Sequence, residues 1–243
     1  MKKIILFTAF LVFYLSTEGQ AQIENSIKDD YKTETDLRNW IKTKDFEALF
    51  DNNELLVNKI YLADKELELQ YLPEQISAKR IKTAEKIIQL NHKLKKIYDV
   101  VPESRQLEVI FYESDYPATA LGNQSLLLIS SKSLELSDAE FFAALAHELG
   151  HLYFFEMMHC ALEKKDFEQI RLIESSCDAV ALVLLHKAGI DLTSLEKALI
   201  KINKLEGRNK NDKTADRYYD LDKRLDVLRG NQSVVENLIK AIR

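Results

Sequence analysis

A chain of 243 residues, 46% of them hydrophobic, has the length and the apolar content to bury a substantial core, which excludes a disordered tail. Lys+Arg at 34 against Asp+Glu at 39 give a net charge of -5 with no basic footprint, which excludes a charge-driven nucleic-acid binder. Six Gly and three Pro, in a chain rich in Leu, Ile, Lys and Glu, predict an α+β fold that is mostly helical with a small sheet, not a turn-rich sandwich or barrel.

The chain begins with Lys2 and Lys3, then an apolar run from Ile4 to Leu15, then a polar segment with Gly19 and Ala21. That order predicts a secretory signal over 1–21, cut after Ala21, and therefore an exported protein, periplasmic or extracellular. Twelve apolar residues are too few to span a bilayer comfortably, and no later stretch reads as a transmembrane segment. Residues 22–74 form a polar, helical extension, with Trp40, Phe46, Leu49, Leu55, Ile60 and Leu67 supplying apolar faces. It reads as either a cap on the following domain or a segment that keeps it latent.

Pro73 marks a break, after which Ile81, Ile87, Ile88, Leu94 and Ile97 recur at roughly helical spacing up to Val100, and Pro102 ends the run. Two short apolar stretches follow, Leu-Glu-Val-Ile-Phe-Tyr at 107–112 and Ser-Leu-Leu-Leu-Ile-Ser at 125–130, with Pro117 and Gly122 between them. They are the strand candidates. From Ser137 onward the pattern is helical, interrupted at Gly189, over 206–216 and at Gly230.

Ser137 and Glu140 have capping-box spacing, and Leu136 and Phe141 occupy the positions of a hydrophobic staple, so a helix should start here and run to Met158. This helix is apolar nearly all round, yet it carries His147-Glu148-Leu-Gly-His151. Four residues advance about one helical turn, so the two imidazoles project from one face and can hold one zinc ion, with Glu148 beside them to take a proton from water. Burying that trio among Ala143, Ala144, Leu152 and Phe155 without a metal would cost several kcal/mol.

A mononuclear catalytic zinc takes three protein ligands and keeps one position open. The metzincin arrangement is excluded, because Phe154 and Met157 stand where its Gly and third His would be. His92, His159 and His186 remain as loose histidines, while Glu174 is the better third ligand. It opens Glu174-Ser-Ser-Cys-Asp178, a carboxylate pair one turn apart on another apolar helix, in which Asp178 can orient a ligand histidine through its free ring nitrogen. Cys160 and Cys177 are the only cysteines, and the helical register keeps them too far apart for a disulfide.

The stretch from Ser137 to His151, followed by Glu174 and Asp178, resembles the zinc metallopeptidases of the HtpX and CAAX-prenyl-endopeptidase type, family forty-eight of the metallopeptidases and a group of gluzincins. The resemblance spans 75–243 and implies a zincin-type domain with a small sheet beside the active-site helix. It implies His147, His151 and Glu174 as ligands of one Zn2+, Glu148 as general base and acid, and Asp178 behind a ligand histidine. It also implies a polypeptide substrate added as a strand along an edge strand at Leu126, Leu127, Leu128 and Ile129.

Only 152–173 separate the second His from Glu174, and no membrane helices intervene, so the chain is similar to the short, soluble minigluzincin form. Arg224 fits the family pattern near the end, but Tyr218 and Tyr219 stand where a His-Pro pair is usual. A phenol can donate to an oxyanion, so Tyr218 is the candidate to replace that His, with a packed tyrosine as the alternative reading; either a tyrosine or Arg224 is expected to steady the oxyanion. The function implied is a zinc endopeptidase of exported or envelope proteins. Its alternative is a zinc-stabilised binding or chaperone-like module with little proteolysis, which the missing His-Pro favours and Glu148 disfavours. A cytosolic regulatory protease with the same His-Glu-x-x-His fits less well, given the signal segment and Asp178.

Overall fold

A computed structural model of the chain describes residues 80–114, 119–122, 126–205 and 221–242. The signal segment expected over 1–21, the extension expected over 22–74, and Tyr218 and Tyr219 lie outside the described residues. The described chain is mostly helical with one small sheet, as its composition predicts: α1 Ala84–Val100, β1 Glu108–Tyr112, β2 Thr119–Gly122, β3 Leu126–Ser130, α2 Asp138–Tyr153, α3 Phe155–Lys164, α4 Phe167–Lys187, α5 Thr193–Leu205 and α6 Leu221–Ile242. No helix among the described residues is long and apolar enough to cross a membrane.

Helix α1 buries Leu90, Leu94 and Ile97, and it stops where Pro102 opens a 3-10 turn. Ile88, expected on the apolar face, is instead 67% exposed, because the buried stripe follows 90, 94 and 97. The sheet has three strands, one more than the two expected. Its order is β1-β3-β2, with β1 parallel and β2 antiparallel to β3. The extra strand, Thr-Ala-Leu-Gly, is four residues long, and its pairing with β3 is a tertiary event that four residues do not announce.

The expectation of an edge strand at Leu126, Leu127, Leu128 and Ile129 is corrected by this topology. These residues pair with β1 on one side and β2 on the other, so β3 is the central strand. All five of its residues are buried, which explains a run of four apolar residues without alternation. Beside β1, Ile81 donates its N–H to the Phe111 carbonyl at 2.9 Å, and Arg80 bridges Tyr112.

The predicted cap of α2 is present in full. The Ser137 hydroxyl accepts from the Glu140 N–H at 3.2 Å, and the Ser137 N–H donates to Glu140 Oε2 at 2.7 Å. Lys201 of α5 adds a 3.0 Å ion pair to the same Glu140 oxygen, and Lys93 of α1 donates to the Leu136 carbonyl at 2.9 Å. The start of α2 is thereby tied to two other helices. The helix ends earlier than expected, at Tyr153, since Phe154 adopts φ -108 and ψ 16 and the chain restarts as α3.

Helices α2 and α4 form the centre of the molecule, with α1, α5 and α6 packed around them. From Leu172 to Leu185 every residue of α4 is buried. The two helices approach closely at Gly150, where an added Cβ would sit 2.8 Å from Cys177 Cα and 3.2 Å from the Cys177 carbonyl oxygen. Backbone atoms cannot swing aside as a side-chain tip can. Gly150→Ala is therefore expected to cost about 1–3 kcal/mol, as overpacking in a tight core does, despite the better helix propensity of Ala. Thermal unfolding should show a melting temperature lower by about 2–4 °C per kcal/mol, and a variant as stable as the wild type would contradict the close approach.

Candidate metal centre

The helical spacing of His147 and His151 does what it should: both rings leave the same side of α2, with centroids 5.0 Å apart in an edge-to-face arrangement. From α4, Glu174 reaches both. Its Oε2 lies 3.4 Å from His147 Nε2, and its Oε1 lies 3.7 Å from His151 Nε2. One ligand atom from each of the three residues falls within 4.8 Å of the others, so the group could hold a metal ion. Tetrahedral bonds of about 2.0–2.1 Å place ligand atoms about 3.3 Å apart, and the two spacings from Glu174 to the histidines, 3.4 and 3.7 Å, need only a small adjustment to meet that. His147 and Glu174 are each 8% exposed.

Behind this trio stands an ionic chain. Asp178, one turn after Glu174 and 2% exposed, brings its Oδ1 to 2.8 Å from His147 Nδ1. Arg224 of α6 grips the same carboxylate with two donors, Nε to Oδ2 at 3.0 Å and Nη2 to Oδ1 at 2.8 Å. Such a fork is the strong, directional form of the pair. With Nδ1–H donated to Asp178, His147 keeps its Nε2 lone pair turned toward Glu174 and the ion position.

Arg224 is, with a tyrosine as the alternative, the group expected to steady an oxyanion. The structure places its Nε and Nη2 on Asp178, with Nη2 3.8 Å from Glu174 Oε2. In this geometry it acts through Asp178 and positions the ligands. His159, on α3, is buried with its Nδ1 3.6 Å from Glu163, while His92 and His186 are exposed, and none of the three joins the ligand group.

The electrostatics follow from five ionisable groups sharing a dry space. Burial works against a charge on Asp178, but Arg224 and His147 override it and hold the carboxyl well below its ordinary range. Burial likewise opposes Glu174, and His151, His147 and Arg224 bring it down to about 2. Burial would lower His147, yet Asp178 and Glu174 carry it up to about 10. His151 is dominated by burial and falls to about 4. A proton on His147, together with the Arg224 guanidinium, would balance the two carboxylates, and a divalent cation at the same place would displace that proton.

Glu148, next to His147 on α2, is half-buried where its neighbours are buried. Burial first, and then the Glu148 charge, raise the phenol of Tyr112 at the end of β1. Glu148 is also felt, after burial, Glu174 and Asp178, at Cys177, whose thiol is pushed far up. Cys160 and Cys177 are both free thiols.

Two residues of the site were invisible to spacing rules. Gly150 sits inside the motif and permits the helix contact, and only its occurrence in the middle of an apolar helix hints at that. Cys177 lies with its Sγ 3.4 Å from His151 Nδ1, for which the sequence carries no signal. No protein-family model matches the chain, and no curated protein matches it either.

Proposed function

We propose that the protein is a zinc-dependent endopeptidase of the gluzincin kind that the sequence resembles, exported after removal of 1–21 and acting on exported or envelope polypeptides. The observation that carries this reading is Glu148, a half-buried carboxylate adjoining a largely buried His-His-Glu group that could hold a metal ion. An ion that served only to hold α2 and α4 together would need no base at its side. The donor set of two imidazoles and one carboxylate suits zinc, and a three-ligand set is the form that leaves one position open for chemistry.

A zinc ion, which His147, His151 and Glu174 would hold, would supply Lewis acidity toward a peptide carbonyl and make a nearby water more acidic. The chain's own residues do the rest. Glu148 accepts a water proton on its carboxylate and delivers it to the nitrogen of the leaving amine. Asp178 and Arg224 keep His147 in one tautomer and one orientation, and Tyr218 is the group proposed to donate to the developing oxyanion. An extended peptide is proposed to add along the backbone of β2, which pairs with β3 alone among the described strands and packs against α2.

The test is hydrolysis of an unfolded protein substrate by the purified protein, together with its zinc content. One zinc per chain is expected, with cleavage that a chelator abolishes and added zinc restores. Zinc binding without any cleavage would instead favour the binding-module reading, which the Tyr218-Tyr219 sequence in place of His-Pro supports.

A further inference from the structure

The two histidines of the candidate metal centre are held from behind in different ways. His147 meets a carboxylate that Arg224 fixes with two hydrogen bonds, whereas the atom facing His151 Nδ1 is the sulfur of Cys177, at 3.4 Å. We propose that Cys177 is the positioning residue for His151, accepting a hydrogen bond from its Nδ1–H on Sγ and so aiming Nε2 at the metal. This inference rests on the reading of His147, His151 and Glu174 as metal ligands.

The direction of the hydrogen bond follows from ligation. His151 turns Nε2 toward Glu174 Oε1, so Nε2 is the nitrogen available to an ion, and a neutral imidazole that ligates through Nε2 carries its proton on Nδ1. A thiol sulfur facing that proton can only accept it. Sulfur is a weak acceptor, but an Nδ1–H with no acceptor in a dry helix interface would be costly.

The contact is held by the fold and not by a mobile side chain. Cys177 is fully buried on α4, and its Cα lies where a Cβ on Gly150 would collide with it. Gly150 immediately precedes His151, so the absence of a side chain at 150 is what brings α4 near enough for Sγ to reach the ring. A neutral acceptor also suits the surroundings. Glu174 and Asp178 already place two carboxylates in this interface, and a third behind His151 would add like-charge repulsion to the cost of burial.

The experiment compares wild type, Cys177→Ala and Cys177→Ser as purified full chains whose folding is checked by circular dichroism. Zinc affinity is read by competition with a chromophoric chelator, and ligand geometry from the visible spectrum of the cobalt(II)-substituted protein. Loss of a partner behind a metal-bound histidine usually weakens binding 10- to 100-fold, so the folded Ala variant should bind zinc at least about 10-fold more weakly and show an altered cobalt spectrum. The Ser variant, which restores an acceptor, should fall between Ala and wild type. An Ala variant with wild-type affinity and an unchanged cobalt spectrum, or a Ser variant no tighter than Ala, overturns the assignment. Should Ala fail to fold, nitrogen-15 spectra of the zinc-loaded wild type decide: a slowly exchanging Nδ1 proton on His151 supports the assignment, and its absence overturns it. A wild type that binds no zinc would bring down the metal reading itself, an outcome distinct from equal binding by wild type and Ala.

Discussion

Glu148→Gln is expected to leave zinc content unchanged and to lower the hydrolytic rate by about 10²–10⁴-fold, the usual contribution of a positioned general acid and base. Gln keeps the shape of the side chain but cannot accept a proton at neutral pH. The three proposed ligand residues do not include Glu148, so metal binding has no reason to suffer. Turnover of an unfolded substrate at matched zinc occupancy is the measurement. A variant that keeps a tenth or more of the wild-type rate would remove Glu148 from the mechanism and, with it, the main argument for an enzyme.

The second large effect is expected at Asp178. Its replacement by Ala strips two partners at once, the Nδ1–H of His147 and the fork of Arg224, in a place where Asp178 itself is 2% exposed. Removing one member of a buried charge pair typically costs about 3–5 kcal/mol, because the other is left buried and uncompensated. Zinc affinity should also fall about 10- to 100-fold, since the proposed ligand His147 loses the group that fixes its tautomer. Urea unfolding and chelator competition read the two losses separately. Asp178→Asn, which keeps the shape and one acceptor, should lie between Ala and wild type in both. If Ala costs less than about 1 kcal/mol, the ionic chain is not what holds this part of the interface together.

How much of this was legible in the sequence depends on the range of each interaction. The capping box at Ser137 and Glu140 spans three residues, and the turn-spaced pairs His147/His151 and Glu174/Asp178 span four, so helical geometry alone relates them. Their meeting needs α2 and α4 to pack, and the apolar character of both helices already pointed that way. Other features depend on partners distant in sequence. The strand Thr119–Gly122 exists because β3 pairs with it, and that same pairing turned the presumed edge strand into the central one. The break at Phe154 leaves no Gly or Pro as a marker. The contact between Cys177 and His151 depends on a glycine whose purpose is visible only once both helices are in place.

The separation of these contacts along the chain also bears on how the site comes together. His151 and Cys177 are 26 residues apart, within a helical hairpin joined by the short α3, whereas Arg224 lies 46 residues beyond Asp178. Closing a loop costs entropy that grows only slowly with its length, but the nearer pair still meets more often in an unfolded chain. The candidate ligand trio and Asp178 thus belong to one continuous stretch of polypeptide that can organise early, while the guanidinium that pairs with Asp178 arrives with α6. Until α6 docks, Glu174 and Asp178 lie in that stretch without the guanidinium of Arg224 beside them. A metal ion met at that moment would be bound by a chain still finishing its fold.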